Sequence, residues 1–180
     1  IHGNPIPWEL CATMNNHWCY CNFDHEYKSA KMLIRKLVEC VSKGGNFLLN
    51  VGPDAKGNMP KRSLDILEEI GQWMDKNSES IYGCGICELP KPEWGRYTQK
   101  GDTIYAHVFE TPLGALPLTG IGPDKLDKVY YVSDGTEMNR GEAWNTVLFT
   151  DAAFVSFGDN PVFTYALPDD KDTVLKVVLK

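Results

Sequence analysis

The sequence lacks several features that would assign the protein to a particular class. None of its apolar runs approaches the roughly 18 to 20 residues that cross a bilayer, so no membrane span is predicted. The net charge of −6 argues against nucleic-acid binding, which depends on Lys and Arg neutralising phosphates. Internal repeats, low-complexity tracts and Asn-x-Ser/Thr sequons are also absent. What remains, 180 residues that are 43% hydrophobic, is enough apolar material for one or two globular cores.

The beginning of the chain indicates a piece of a longer polypeptide. The first residue is Ile1, no basic-then-apolar leader follows, and residues 2–7 are predicted to form a loop that enters a strand. The missing leader therefore carries no information about export. A secreted, a periplasmic and a cytoplasmic location in a bacterium all stay open.

The first half alternates helix and strand signals. Ser29 is suited to cap a helix, and Gly44 suits the left-handed residue that ends it. The mostly apolar run 46–51 is typical of a buried parallel strand. After a loop rich in turn-forming residues, a second helix is predicted from about Pro60 to Asn77. This order is typical of an α/β barrel or a doubly wound sheet.

The pattern changes after about Cys87. Five runs rich in aromatic and β-branched residues are predicted to be strands, at 103–109, 129–132, 153–157, 162–165 and 174–179. Gly, Pro and Asp separate them, which indicates an antiparallel β-sandwich. The predicted fold class is therefore α/β followed by all-β, with one domain over residues 1–87 and a second over 88–180.

Several spaced motifs carry a family resemblance. Residues 8–14 are Trp-Glu-Leu-Cys-Ala-Thr-Met, and Trp-Cys-Tyr follows at 18–20. Residues 42–53 are Ser-Lys-Gly-Gly-Asn-Phe-Leu-Leu-Asn-Val-Gly-Pro, and Glu-Ser-Ile-Tyr-Gly follows at 79–83. In this order the blocks resemble the signature of glycoside hydrolase family 29, the α-L-fucosidases. Two positions depart from the family pattern, because Cys19 and Ser78 stand where Gly is usual.

The resemblance implies both a fold and an activity. Residues 1–87 would be the last strand and helix units of a catalytic (β/α)8 TIM-like barrel, and residues 88–180 a C-terminal antiparallel β-sandwich. The activity would be that of a hydrolase of carbohydrate metabolism, a glycosidase that removes terminal α-L-fucose from glycoconjugates or oligosaccharides with retention, using no metal or organic cofactor. The expected partners are a fucosylated glycan and the upstream part of the same polypeptide, and the oligomeric state stays open. The alternative is a non-catalytic carbohydrate-binding or structural module.

Candidate catalytic residues follow from the same motifs. Retaining glycosidases use a nucleophile and an acid/base. The resemblance implies that the nucleophile lies on an earlier barrel strand, absent from this chain, so the isolated chain is expected to be inactive. Glu9 is a candidate acid/base, with a buried carboxylate that organises its loop as the alternative. Cys11 occupies a motif position associated with catalysis, with a structural buried cysteine as the alternative.

Two tryptophans are candidates for substrate contact. Fucose has an apolar ring face and a C5 methyl group, which an aromatic wall can cover. The resemblance implies that Trp18 supplies such a wall, and a core tryptophan is the alternative. Trp8 is a second candidate, with packing inside the barrel as its alternative.

A metal site is the other chemistry that the sequence raises. The C-x-x-C motif at 84–87, together with Cys19 and Cys21, could supply four thiolates to zinc. No thioredoxin-like strand and helix surround the motif, so neither zinc nor redox chemistry is favoured. His17 and His25 flank Trp18 and are predicted to be polar loop residues, not ligands.

Overall fold

A computed structural model describes residues 6–180, so residues 2–5 of the predicted opening loop lie outside the described part. Two helices and nine strands follow one another in the order β1, α1, β2, α2 and then β3 to β9. Their bounds are β1 Glu9–Thr13, α1 Ala30–Ser42, β2 Asn46–Asn50, α2 Lys61–Asn77, β3 Gly95–Lys100, β4 Thr103–Val108, β5 Leu116–Thr119, β6 Leu126–Tyr131, β7 Asn139–Arg140, β8 Ala152–Ser156 and β9 Thr173–Leu179.

The first half forms a small parallel unit. Strands β1 and β2 pair in parallel, with Glu9 opposite Asn46 and Thr13 opposite Asn50, and α1 connects them. As predicted, the Ser29 side chain caps α1 by accepting a hydrogen bond from the Met32 backbone N–H. Gly44, at φ +70°, then turns the chain into β2 in a conformation that favours glycine.

The two helices pack on one face of this parallel pair. Helix α1 buries Ala30 and Leu33, α2 buries Ile66, and Phe47 and Leu49 of β2 pack against them. Apolar residues recur at helical spacing along α1, which places them on one side. The opposite face of the two strands, which includes Leu48 at 49% exposed, is bare in this chain.

The second half is a β-sandwich, in agreement with the sequence prediction. One antiparallel sheet has the strand order β3-β4-β9-β6 and the other has the order β5-β8-β7. Side chains from both sheets meet in one core, and its fully buried members include Ala106 and Val108 of β4, Leu116 and Leu118 of β5, and Leu175 and Val177 of β9. Because alternate residues of a strand point to opposite faces, each strand contributes every second side chain to this core.

The four-stranded sheet lies between the second sheet and the helices. A separate buried cluster joins Ile34 and Val38 of α1, Trp73 of α2, Tyr105 of β4 and Val174 of β9. Arg35 reinforces the contact, because its Nε donates to the Lys171 carbonyl oxygen at 2.8 Å. The described residues therefore form four layers, in the order parallel pair β1-β2, helices, four-stranded sheet and three-stranded sheet.

One predicted strand does not form, and three strands were not predicted. Residues 162–165 form no strand, because Asn160 begins a turn in which its carbonyl oxygen accepts from the Phe163 N–H at 3.1 Å. The sequence analysis also missed β3, β5 and β7. Strand β3 has few β-formers, and β5 contains Pro117, which is uncommon within strands.

The structure also bears on membrane association and on disulfides. Among residues 6–180, neither helix combines the length and the apolar character that a transmembrane segment requires. Within the same range none of the six cysteines forms a disulfide.

Candidate functional site

The carboxyl ends of β1 and β2 lie side by side and carry the loops that contain the sequence motifs. Thr13 ends β1 opposite Asn50, which ends β2, and the Met14 N–H donates to the Asn50 carbonyl oxygen at 3.3 Å. In parallel α/β folds the side chains that bind ligands lie at this end of the strands. The candidate functional site therefore lies at this end of the two strands.

Trp18 lies in the loop that follows β1, residues 15–27, which we call the tryptophan loop. The residue is 57% exposed in this chain. The Asn50 side chain donates from Nδ2 to the Trp18 carbonyl oxygen at 2.7 Å. This hydrogen bond holds the backbone of Trp18 against the end of β2 and leaves the ring free.

Gly52 lets the tryptophan loop approach the chain after β2. A Cβ atom at Gly52 would lie 2.7 Å from the backbone carbon of Cys19 and 2.7 Å from the backbone nitrogen of Tyr20. Such distances are too short for a Cβ atom, and because the opposing atoms belong to the backbone, a side chain at this position would displace one of the two segments. The motif that includes Asn50 and Gly52 therefore fixes where residues 18–20 lie.

Asp24 organises the interior of the tryptophan loop. Its side chain is 4% exposed, and one carboxylate oxygen lies 2.7 Å from Nδ1 of His17. The backbone N–H groups of Asn16 and Glu26 also donate to the carboxylate, at 2.8 and 3.1 Å. The hydrogen bond with His17 is the main cause that lowers the pKa of Asp24. Asp24 is therefore a buried acceptor shared by donors from both sides of the loop.

Glu9 and Cys11 lie on the bare face of β1, away from the helices. Both residues are exposed in this chain, on a face that no described element covers. Sγ of Cys11 lies 3.6 Å from Oε1 of Glu9. Desolvation and the neighbouring Glu9 carboxylate raise the pKa of the Cys11 thiol. A raised pKa keeps this thiol protonated, which does not suit a nucleophile.

Glu9 and Trp18 lie at opposite ends of β1. Glu9 begins the strand, and Trp18 lies in the loop, five residues after Thr13, which ends the strand. At about 3.3 Å per residue, four steps along the strand separate the Cα atoms of Glu9 and Thr13 by roughly 13 Å. The structure thus does not bring these two sequence-predicted residues together.

Trp8 packs at the beginning of the parallel pair. Its indole Nε1 donates to the Lys43 carbonyl oxygen at 3.2 Å. A Cβ atom at Gly45 would lie 2.3 Å from the Trp8 ring, so the ring rests directly on this glycine. Trp8 therefore fixes the turn between α1 and β2, at the end of the strands away from Trp18.

Three residues of the site escaped the sequence analysis as functional candidates. Asn50 and Gly52 are part of the Asn-Val-Gly-Pro segment, so their motif membership was the available signal. Asp24 belongs to no motif, and only the folded loop reveals that its carboxylate is buried.

No metal centre is formed by the described side chains. Among residues 6–180, no three His, Cys, Asp or Glu side chains come close enough to hold an ion together. Burial raises the pKa of Cys84 and of Cys87, the two cysteines of the C-x-x-C motif.

The cleft at the tryptophan loop is too small to enclose a sugar. It holds about 10 Å³ and is lined by residues that include Cys19, Tyr20 and Gly52. Small-molecule sites are typically several hundred Å³. A larger cavity of about 620 Å³ lies in the sandwich beside Phe149 and Phe154, and none of the motif residues lines it. Trp18 lines neither of these two cavities.

Comparisons with known proteins agree on one family. A family model described as alpha-L-fucosidase matches residues 2–79. An alpha-L-fucosidase of Dictyostelium discoideum is 42% identical over 121 residues, which are 62% of this chain and 26% of that protein. The chain thus spans about a quarter of the length of this relative.

Solved structures extend the similarity to the sandwich. The alpha-L-fucosidase isoenzyme 1 from Paenibacillus thiaminolyticus is similar over 99% of this chain and 41% of its own, with 47% identity and a TM-score of 0.92. A family 29 alpha-L-fucosidase from Bacteroides thetaiotaomicron, solved as a trapped covalent intermediate with 2-fluoro-fucosyl fluoride, is similar over 97% of this chain and 38% of its own, with 25% identity and a TM-score of 0.78.

Proposed function

We propose that the longer polypeptide of which this chain is a piece hydrolyses terminal α-L-fucosyl residues. The premise is that the chain belongs to the alpha-L-fucosidase family and matches its C-terminal part. The reaction would proceed with retention through a covalent glycosyl-enzyme intermediate. A related enzyme trapped as a covalent intermediate with a fluorinated fucosyl fluoride supports this route. Every relative and structure described above is an alpha-L-fucosidase, so no observation favours a non-catalytic module.

The first half would be the last part of a (β/α)8 barrel. Strands β1 and β2 are parallel, α1 connects them, and both helices cover the same face. A two-stranded parallel sheet with one bare face is not self-sufficient, because parallel strands are normally covered on both sides. The upstream strands would pair with this sheet, and the bare face of Glu9, Cys11 and Leu48 would then turn toward the barrel interior.

The arrangement of Trp18 carries the proposal. Its backbone is tied to Asn50 at the carboxyl ends of the strands, and the residue is 57% exposed. An exposed aromatic ring at this end of a barrel suits the apolar face and C5 methyl group of fucose. Trp18 would therefore form one wall of the sugar pocket, and the upstream strands would supply the other walls and the nucleophile.

Glu9 and Cys11 would have supporting positions. The amino end of β1, where Glu9 lies, is remote from the end at which barrel enzymes keep their chemistry. This location favours a role for Glu9 in ordering the barrel interior over the role of acid/base. Trp8, which packs on Gly45 at the same end, would likewise be a packing residue and not a sugar platform.

The division into domains at residues 87 and 88 would follow the change of architecture. The core of the sandwich draws on residues from Trp94 to Val177, all beyond that boundary. A second cluster nevertheless joins α1 and α2 to Tyr105 and Val174. The two domains would therefore be separate in fold and joined by a shared apolar interface.

The experiment compares the 180-residue chain with the full-length polypeptide. Both are assayed with 4-nitrophenyl α-L-fucoside, with the corresponding α-D-galactoside and β-D-glucoside as specificity controls. We expect hydrolysis of the fucoside by the full-length protein and none by the chain alone, because a missing nucleophile removes the covalent route. A full-length protein that is folded and binds fucose without hydrolysing the fucoside would overturn the proposal and favour a binding module.

A further inference from the structure

The tryptophan loop has little backbone structure of its own. It contains no helix or strand, and within residues 15–27 one backbone hydrogen bond has both partners inside the loop, from the Asp24 N–H to the Cys21 carbonyl oxygen at 3.3 Å. A second bond, from Lys28 N–H to the Met14 carbonyl oxygen at 2.8 Å, closes the loop at its base. With so few backbone bonds, side chains must fix the conformation of this loop.

Asp24 is placed to do this. Its buried carboxylate accepts from the backbone N–H and the side-chain Nδ2 of Asn16, at 2.8 and 3.4 Å, and from the Glu26 N–H at 3.1 Å. The same carboxylate is 2.7 Å from Nδ1 of His17, the residue before Trp18. These contacts join both sides of the loop to one anion. Hydrogen bonds to an ionised acceptor are stronger than those between neutral groups. The carboxylate therefore contributes more to the conformation of the loop than its few backbone hydrogen bonds do.

The other side of Trp18 is held from β2. Asn50 donates to the Trp18 carbonyl oxygen at 2.7 Å, and Gly52 leaves room for the backbone of Cys19 and Tyr20. Asp24 therefore restrains the two residues before Trp18, whereas Asn50 and Gly52 restrain Trp18 itself and the two residues after it. Together they fix the backbone on either side of an exposed ring.

We infer that Asp24 is a positioning residue for sugar binding, because its carboxylate holds the tryptophan loop in the conformation that presents Trp18 to the substrate. This inference rests on the proposed function, and it assigns Asp24 a role that acts through Trp18. If the loop already holds the aromatic wall in place, sugar binding does not have to order the loop, and the affinity is higher. Loss of Asp24 should thus weaken sugar binding more than it slows the chemical step.

The test is a double-mutant cycle in the full-length enzyme. Asp24→Ala, Trp18→Ala and the double variant are compared with the wild type by KM for 4-nitrophenyl α-L-fucoside and by the inhibition constant of a fucose-like iminosugar. We expect Asp24→Ala to raise both constants on the order of tenfold while kcat stays within about twofold, a coupling typical of neighbouring residues. In the Trp18→Ala background the same change should have almost no further effect.

Two further variants keep the result interpretable. Asp24→Asn retains an oxygen that accepts from backbone N–H groups but loses the charge that faces His17, so an intermediate effect is expected. It replaces Asp24→Ala in the cycle if that variant does not fold. Asp65→Asn makes the same chemical change at an exposed ion pair with Lys61 on α2, and it should leave both constants unchanged.

Amide hydrogen exchange supplies a readout that does not depend on activity. Asp24→Asn should speed exchange of the Asn16 and Glu26 amides, which donate to the carboxylate, and leave the two helices unchanged. Equal effects of Asp24→Ala in both backgrounds, or unchanged exchange in the loop, would overturn the inference. A wild-type enzyme with no fucosidase activity would instead overturn the proposed function, and the exchange measurement would still decide the role of Asp24.

Discussion

Nδ1 of His107 lies 2.7 Å from Oδ2 of Asp172, and neither side chain has any exposed surface. Nε2 of His107 is in turn 3.1 Å from the Thr98 hydroxyl, which donates to the Ser80 carbonyl oxygen at 2.8 Å. The Trp73 indole donates to the Asp172 backbone carbonyl at 3.1 Å. A buried polar network thus connects the end of α2 and the turn after it with the four-stranded sheet.

Removal of Asp172 should destabilise the protein strongly. Asp172→Ala leaves His107 without its partner inside the core, and breaking such a pair costs about 3–5 kcal/mol. Burial raises the pKa of Asp172, and the contact with His107 opposes this rise. The free energy of unfolding of the full-length protein in urea measures the loss. Asp170→Ala, at an exposed ion pair with Lys31, is the control and should cost less than about 1 kcal/mol. Similar losses from the two variants would contradict the importance of the buried pair.

Glu39 should make stability depend on pH in the acid range. The hydrogen bonds from Lys36 and Lys43, both at 2.6 Å, lower its pKa to about 2 from 4.5. Because the folded value is the lower one, this stabilisation is fully present above pH 4.5 and is lost as the pH falls toward about 2. Glu39→Gln should remove about 1 kcal/mol at pH 7 and progressively less below pH 4.5.

The measurement is urea unfolding at pH 7 and again at about pH 3, with Glu69→Gln as the control. Glu69 is exposed on α2 and makes no ion pair within residues 6–180. A difference between wild type and Glu39→Gln that stays the same at both pH values would show that the Glu39 charge contributes nothing.

Local signals in the sequence predicted much of the fold, and tertiary contacts explain what they missed. Ser29 and Gly44 act through their own backbone neighbours, so their positions at the ends of α1 were predictable. Strand β3 was also hard to predict because both of its faces are buried, so its sequence does not alternate between apolar and polar residues. Tyr97 enters the sandwich core, whereas Thr98 faces the helices and bonds to Ser80.

The site was less predictable than the fold. The motif identified Trp18 as a pocket residue, a role that stays a prediction, but no pattern singled out Asp24. Its importance depends on Asn16, His17 and Glu26 folding around one carboxylate, which neither spacing nor composition encodes. Glu9 shows the opposite case. It belongs to the motif, yet it lies at the end of β1 that is remote from Trp18.

Gly52→Ala should displace the tryptophan loop. The added Cβ would lie 2.7 Å from the backbone at Cys19 and Tyr20, so one of the two segments has to move. We expect a loss of about 1–3 kcal/mol in stability together with weaker fucoside binding. Gly71→Ala in α2 is the matched control, since nothing lies within 4 Å of its added Cβ. The control should gain about 0.4–1 kcal/mol, because Ala favours a helix over Gly. Unaltered binding by Gly52→Ala would show that the loop does not depend on this contact.

Trp18→Ala should mainly weaken sugar binding in the full-length enzyme. Loss of an aromatic wall from a desolvated pocket costs about 1–3 kcal/mol, seen in the affinity for fucose and for fucose-like iminosugars. Calorimetric titration measures it, and Phe163→Ala, at an exposed aromatic in the sandwich, serves as the control. If a folded Trp18→Ala variant binds these ligands as tightly as the wild type, Trp18 is not a pocket residue.

Because the helices cover part of the sandwich, residues 88–180 expressed alone should fold but should be less stable than the whole protein. The buried residues of the sandwich core all lie within that range, and only the partly buried Cys87 of those packed against it lies outside, so this piece should fold and unfold cooperatively. Tyr105 and Val174, however, are covered by Ile34, Val38 and Trp73, which the piece lacks. The exposed apolar patch should lower stability and promote association.

Tyr105→Lys distinguishes this arrangement from two independent domains. In the whole protein Tyr105 is 3% exposed, so Lys would be buried against Trp73. The substitution should lower the free energy of unfolding by about 2–5 kcal/mol, as large changes in a core do. In the isolated piece the same side chain faces water, and the substitution should be nearly neutral for stability while reducing association. Urea unfolding and analytical ultracentrifugation of both forms provide the comparison. Equal destabilisation in the piece and in the whole protein would mean that Tyr105 is buried by the sandwich itself, and the shared interface would then contribute little to holding the two parts together.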